Sequence, residues 1–343
     1  MRISTPSSPS SSRAGWGAEA RSRLATNRIS TGLRQTPNRR MASDIDICNS
    51  TIVKAMDIVP PGDFITEGYD AQNVTQAKTQ LVIFSTPRSG STFLCDLLYR
   101  HSICLPHEYF QPSQYLPILA NRWRCIDDGR IDKAAYVEHL LRRRTSRSGC
   151  FGLNLHGDHL SVYTKFEHLF PELDTTYIHL IRKDLLAQSV SYEIATQTQQ
   201  WTSAWPERTV ANYSFRNIKC KMETLQQQNA LIHAFVTSRE LQCVTVFYED
   251  LVADPARVLS SVIPGFLPGS ADSEPSVQRQ YKSRNKDWTT RFAHEFIAHS
   301  AGREPSTTPR KRVTSLARVS RWYRRLWRLA TWQVSDEEAH DQD

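Results

Sequence analysis

The sequence predicts an α/β fold: a three-layer arrangement with a mostly parallel sheet flanked by helices. Three observations carry that expectation. Apolar runs rich in β-branched and aromatic residues alternate with amphipathic stretches through the middle of the chain. The first such run, Leu81–Phe84, breaks into "STPRSGST", after which apolar residues return at helical spacing. Asp254-Pro255 then supplies an N-cap and a first-turn proline, a strong helix start late in the same pattern. Strand–helix alternation of this kind implies parallel strands joined by helices packed on the sheet.

Taken in order, the pattern reads as a strand at 81–86, a helix at 89–100, a loop through 105–117 and a helix at 131–144. A short apolar segment, Phe151–Leu155, precedes a strand at 176–182 ("TYIHLIR") and a helix at 184–197. A long helix follows near 217–238, then a strand at 243–248 and a helix from Pro255. The globular part is expected from about Val74 to about Phe296, within a domain spanning 74–302. The chain shows no internal repeat.

The two ends differ from this body. Residues 1–43 are rich in Ser, Thr and Arg, with Glu19 the only acid before Asp44. They cannot build a core, so disorder is expected. The composition fits an organellar transit peptide and equally an extension ahead of an internal start at Met41-Ala-Ser. Residues 303–343 hold a densely basic stretch and a short acidic tail. In that stretch Leu316, Val319, Trp322, Tyr323, Leu326 and Ala330 share one helical face, which suits contact with a membrane surface.

With 343 residues, 39% of them hydrophobic, the chain has enough apolar material for one sizeable core plus tails. A net charge of +8 favours anionic partners, although much of it sits at the ends and says little about the core. The seven cysteines are scattered, odd in number and never spaced C-x-x-C. Neither a zinc pattern nor a disulfide framework follows, so a reducing compartment is expected: the cytoplasm, or an organelle if 1–43 is a transit peptide. No apolar run approaches the roughly 18 residues needed to span a bilayer.

The break at 85–92 is where chemistry is expected. A helix N-terminus leaves backbone N–H groups unpaired and carries partial positive charge, so it attracts phosphate or sulfate. Ser89, Ser91 and Thr92 add hydroxyl donors, Gly90 permits close backbone approach, and Arg88 brings a planar cation. A kinase-type loop, G-x-x-x-x-G-K-[ST], is absent because its first Gly and its Lys are both missing. A phosphatase-type loop fails for want of a Cys ahead of the arginine.

P-R-S-G-S-T after an apolar strand resembles the 5′-phosphosulfate loop of sulfotransferases, which use 3′-phosphoadenosine 5′-phosphosulfate (PAPS). "LPHEYFQP" (105–112) and "HLIRKDLLAQSVSYEIATQTQQW" (179–201) narrow the resemblance to the Stf0-like sulfotransferases. The second segment follows their R-x-D-x-x-x-Q-x-V-S pattern, and the coverage runs from about residue 78 to 295. The resemblance implies a P-loop-like sulfotransferase fold and transfer of a sulfuryl group from PAPS to a carbohydrate or other small hydroxylated acceptor. Arg88, Ser89, Gly90, Ser91 and Thr92 would then take the phosphosulfate, and Arg182 with a serine of the next helix the 3′-phosphate. Residues 184, 188, 191 and 195 share one helical face, whereas Ser189 is turned from Ser191 by about 200°, so Ser191 is the serine chosen. Arg88 is also expected to act in catalysis on the charge that builds on the leaving phosphate.

Glu108 matches the acid proposed as general base in this group, and His107 beside it is the runner-up. The same segment as "FGLNLHGDHL" (151–160) commonly carries a lysine in the group where Asn154 stands here. His156 and His159 have i, i+3 spacing, but without a carboxylate and a third ligand no metal site is expected. Tyr109, Phe110, Tyr115, Trp201 and Trp205 are available to stack on adenine or on an acceptor. Two other readings compete: a nucleotide-dependent kinase with an atypical phosphate loop, and a non-enzymatic binding protein. The kinase lacks its lysine and a magnesium carboxylate, and the binding protein would lack the base or the loop arginine. A homodimer is compatible with the resemblance, and a nucleic-acid partner is not expected.

Overall fold

The computed structural model describes residues 45–60, 62–263, 266 and 283–300. Along the chain these form α1 (Asn49–Ile58), β1 (Thr79–Ser85), α2 (Ser91–Arg100), α3 (Tyr115–Arg122) and a small hairpin of β2 (Ile126–Asp127) and β3 (Arg130–Ile131). Next come α4 (Lys133–Arg144), β4 (Cys150–His156), α5 (Leu160–Tyr163), β5 (Asp174–Ile181) and α6 (Leu185–Thr198). The order closes with α7 (Phe215–Ser238), β6 (Cys243–Phe247), α8 (Tyr248–Ala253), α9 (Pro255–Val262) and α10 (Ser283–Ser300).

The main sheet has the order β4-β1-β5-β6, and every pair in it is parallel. Because β1 has a strand on each side and helices on each face, its side chains alternate between two cores and neither set meets water. Val82 and Phe84 join Tyr109, Phe110, Phe151, Leu155 and Phe235 on one face. Leu81 and Ile83 join Leu94, Leu98, Ile178, Val246 and Leu259 on the other. Strands buried on both faces read as continuous apolar runs, which is why "LVIF" was legible as a strand. The register sets Ser85 beside His156, so the end of β1 and the end of β4 open at the same edge.

Helix starts follow the side-chain caps. Asp184 Oδ1 accepts from the Ala187 N–H at 2.8 Å, and Asp254 Oδ1 from the Arg257 N–H at 3.0 Å. The helix after the first strand begins at Ser91, later than the expected 89, because Gly90 has φ of 96° and cannot be helical.

Two expectations about extent need correction. The packed body begins near residue 45, well before Val74. Ile47 and Ile52 join the main core, while Ala55 and Val59 pack with Tyr115, Ile118 and Trp205. The helix α1 has no side-chain cap at Cys48, and of its apolar residues only Ile52 and Ala55 are buried. From the end of the expected loop 105–117, "YLPILANR" forms the helix α3, buried almost throughout, where the sequence predicts no helix until 131. Pro117 suggests a break there, yet it lies in the first turn, where its missing N–H costs nothing. At the other end, α10 sets Trp288 and Phe292 against Val190, Ile194 and Ile218. The leader 1–43 and the segment 303–343 lie outside the described residues. No helix among the described residues is long and apolar enough to cross a membrane.

A chain started at residue 74 should therefore unfold at a lower temperature than one started at residue 44. Losing α1 exposes the apolar faces of Tyr115, Ile118 and Trp205, and a fall of about 5 °C or more is expected. Thermal unfolding of the two chains by circular dichroism checks it.

Candidate active site

The loop between β1 and α2 folds as a tight turn in which two consecutive requirements meet. Arg88 has φ of 65°, an unusual backbone for a residue with a side chain. Gly90 also has positive φ, and a Cβ there would lie 2.4 Å from the ring of Tyr248, the first residue of α8. Only glycine fits that contact. The buried side-chain amide of Gln188 clamps the loop from α6, donating to Thr86 Oγ1 at 2.9 Å and to the Pro87 carbonyl at 2.8 Å. Its place in the R-x-D-x-x-x-Q pattern was legible; its role was not.

Arg88, Arg182 and Ser191, expected to serve two different phosphate sites, stand together. Arg88 Nε donates to Ser191 Oγ at 3.0 Å, and its Nη1 donates to the Trp201 carbonyl. Arg182 Nη1 donates to the Arg88 carbonyl at 3.2 Å while its guanidinium lies over the Tyr248 ring at 4.7 Å. Burial, and then the neighbouring charge of Arg182, pull Arg88 down to about 10, so it remains a cation at neutral pH. Two cations this close favour an anion between them. Ser189 turns its hydroxyl to the Leu185 carbonyl of its own helix, leaving Ser191 as the serine that meets the loop. Ser89 Oγ is buried with no hydrogen-bond partner among the described residues, and Ser91 and Thr92 line the adjoining cavity.

That cavity, of about 150 Å³, is shared by Arg88, Glu108, Asp63, His156, Asp158 and Trp201. Glu108 sits with about a fifth of its side chain exposed to it. Burial pushes its carboxyl up to about 7; His107 opposes the shift and the charges of Asp158 and Asp63 add to it. A group titrating near neutrality suits general-base work. His107, the runner-up, is directed elsewhere. Its Nδ1 accepts the Glu108 backbone N–H at 2.6 Å, and its Nε2 lies 3.7 Å from Asp63 Oδ1. Asp63 also accepts from the Tyr115 hydroxyl at 3.2 Å. Burial works against its charge, but His107 and these hydrogen bonds hold its carboxyl below the ordinary value. Asp63 escaped notice in the sequence because it precedes the expected domain start.

Asn154, standing where a lysine is common, accepts from Ser85 Oγ at 2.7 Å and ties β4 to the end of β1. Of the aromatics, Tyr109, Phe110 and Trp205 are core, whereas Tyr115 and Trp201 line the cavity. The Trp201 indole N–H is buried with no hydrogen-bond partner among the described residues. His156 and His159 do have a carboxylate beside them, supplied by Glu108 from a distant part of the chain. Ligand atoms of the three lie within 4.8 Å of one another.

A parallel sheet whose strand β1 ends in a turn that gathers two guanidiniums, next to a buried carboxyl raised to about 7, suits a group-transfer enzyme of the α/β class. The Stf0 sulphotransferase family model matches residues 80–295, and the chain belongs to that family. It is a sulfotransferase. It is similar to the trehalose 2-sulfotransferase of Mycobacterium tuberculosis (strain ATCC 35801 / TMC 107 / Erdman), with 24% identity over 261 residues, 65% of this chain and 97% of the relative. Among solved structures it is similar to the sulfotransferase domain from the Synechococcus PCC 7002 olefin synthase, with a TM-score of 0.40 and 15% identity, covering 68% of this chain and 97% of that one.

Gln188→Ala should loosen the anion loop without touching any ligand. It leaves the Pro87 carbonyl and Thr86 hydroxyl short of a donor, at a cost of about 1–3 kcal/mol. Denaturant unfolding should report that loss, and the affinity for adenosine 3′,5′-bisphosphate should fall with it by calorimetry.

Proposed function

We propose that this sulfotransferase moves the sulfuryl group of PAPS to a hydroxyl of a carbohydrate or another small hydroxylated acceptor. The observation that carries the reading is the meeting of Arg88, Arg182 and Ser191 at the strand-end turn, with Glu108 in the same cavity. The residues fit a donor with two anionic groups: two guanidiniums, the α2 N-terminus and the unpartnered Ser89 hydroxyl offer more donors than one small anion needs. A polyhydroxylated acceptor fits the other side, where Asp63, Glu108, Gln111, Gln114 and Asp158 present carboxylates and amides to the cavity. The name of the mycobacterial relative points to the same chemical class.

In this mechanism Glu108 takes the proton of the attacking hydroxyl, and a bond forms from that oxygen to sulfur as the bond from sulfur to the phosphate oxygen breaks. The backbone N–H groups of the turn and Arg88 stabilise the charge that builds on the leaving phosphate. PAPS supplies the activated sulfuryl group; the protein supplies position, charge and the base. Arg182 and Ser191 hold the 3′-phosphate, with Arg88 bridging toward Ser191 from the other phosphate site.

Arg88→Ala and Arg182→Ala should each weaken binding of adenosine 3′,5′-bisphosphate about tenfold or more, because each removes a charge-assisted contact. Unchanged affinity by calorimetry sinks the assignment, and tighter binding of ATP than of the bisphosphate would support phosphoryl chemistry instead.

Glu108→Gln should keep donor affinity and lower turnover by about 10²–10⁴ at saturating acceptor. A second effect follows from the same group. Its folded pKa, about 7, is above the ordinary 4.5, so the fold binds its proton more tightly than the unfolded chain does. Stability from Glu108 is therefore full below about 4.5 and is lost as pH rises through 7. Replacing it with the neutral amide should raise the unfolding temperature relative to the parent above pH 7 and give little advantage at pH 4.

A further inference from the structure

We infer that His156 and His159 are positioning residues for Glu108, each locked as an Nε2–H donor and one set against each carboxylate oxygen. The inference rests on the reading of Glu108 as the base and gives that base its orientation.

The lock is a reciprocal pair of backbone hydrogen bonds. After β4 the chain makes a short 3₁₀ turn, Gly157–His159, capped by His156. The backbone N–H of His156 donates to His159 Nδ1 at 3.2 Å. The backbone N–H of His159 in turn donates to the His156 side chain. Since His156 Nε2 has no hydrogen-bond partner among the described residues, the accepting atom of that ring is Nδ1. A nitrogen that accepts an N–H carries no proton, so each neutral ring holds its proton on Nε2. The rings stack at 4.8 Å with an interplanar angle of 24°, and both Nε2 atoms face the same carboxylate. His156 Nε2 is 3.6 Å from Glu108 Oε1, and His159 Nε2 is 3.9 Å from Oε2. His159 Nε2 is also 3.8 Å from the exposed Asp158. These separations exceed a direct hydrogen bond and suit a small closure or one bridging water.

The turn can take this shape because Gly157 lets α7 press on it. A Cβ on Gly157 would lie 2.4 Å from the Gln228 carbonyl oxygen, so any side chain there would push the two rings off the carboxylate.

Three chemical consequences follow from the tautomer. Both rings donate toward the carboxylate and favour its anion against the burial that opposes it. Neither ring can take a proton from Glu108, because Nε2 is already protonated and Nδ1 is engaged; the proton leaves through the exposed side of the cavity. Neither ring offers Nε2 as a metal ligand without moving its proton to Nδ1 and breaking the backbone lock, or becoming an imidazolate, so the cluster of two histidines and a carboxylate is not built to hold a metal. Protonating either ring would break the backbone lock, and burial already drives both histidines below their ordinary value, His156 to about 4.

The discriminating variant is His156→Asn, which keeps an oxygen to cap the turn in place of Nδ1 and loses the Nε2–H. Glu108 is also faced by His107 and Asp63, by Asp158, and by Cys95, Tyr115 and Tyr192, all of which this variant leaves in place. Turnover is expected to fall about tenfold below neutrality, and the acid limb of its pH profile to move up by roughly one unit, with bisphosphate affinity unchanged. His156→Ala, which also loses the cap, should add a loss of thermal stability that the Asn variant lacks. A wild-type rate and an unmoved limb in His156→Asn would reduce the pair to a capping role and overturn the inference. If Glu108→Gln itself keeps the wild-type rate and limb, it is the base assignment that fails. Imidazole ¹⁵N spectra of the parent are independent of both and should show protonated Nε2 and unprotonated Nδ1 in both rings at pH 7. The opposite tautomer, or stoichiometric Zn²⁺ binding that is lost in His156→Asn, would also overturn it.

Discussion

Holding two guanidinium groups side by side is costly for a protein, and the architecture around the β1–α2 turn is arranged to make it possible. Arg88 reaches Ser191 and the Trp201 carbonyl, while Arg182 reaches back to the carbonyl of Arg88 itself. The positive φ of Arg88, the bare face of Gly90 under Tyr248, and the amide of Gln188 are the supports of that arrangement. Each comes from a different element: the turn, α8 and α6. The sheet order matters for the same reason, since β1 lies between β4 and β5 and places the turn against both the acid side and the arginine side. An anion entering the turn would relieve the repulsion between the two guanidiniums, so on the proposed function donor binding and loop order would be coupled.

The acid side solves the opposite problem. Glu108 is a carboxyl in a place that disfavours its anion: burial pushes it up to about 7, with His107 opposing and Asp158 and Asp63 adding to the shift. His107 and the pair His156 and His159 treat two carboxylates differently. His107 lies beside Asp63, which stays ionised well below neutrality, whereas Glu108 is left poised to change state. Two carboxylates in one cavity are thereby separated into a fixed charge and a titrating group.

The parallel sheet was legible in the sequence because β1, β5 and β6 are apolar runs separated by helices with strong caps at Asp184 and Asp254. The strand–turn–helix around 85–92 was legible because strand, small residues and helix are contiguous. Everything assembled from distant segments was harder to read. His156 and His159 announce nothing by their spacing until Glu108, 48 and 51 positions earlier, folds against them. Asp63 sits on a segment whose helix, α1, has no cap and only two buried residues, so neither the helix nor the acid stood out. The helix α3 was hidden by Pro117, a residue that breaks helices in their interior and is accommodated in their first turn.

On the proposed function, donor and acceptor sides of the cavity are supplied by different parts of the chain. The turn and the end of β5 carry the arginines, with supports from α6 and α8, whereas Asp63 comes from ahead of β1 and Gln111, Gln114 and Tyr115 from the stretch after α2. Between α2 and α3, His107 pairs with Leu153 of the edge strand β4 through an isolated bridge. On that reading, exchange of the side chains at Asp63, Gln111, Gln114 and Tyr115 would change which hydroxylated molecule is accommodated, while β1 and the register that positions the turn stay as they are. Descent within such a family can therefore retain one donor and one chemistry while the range of acceptors diverges, and relatives with low overall identity need not share a substrate.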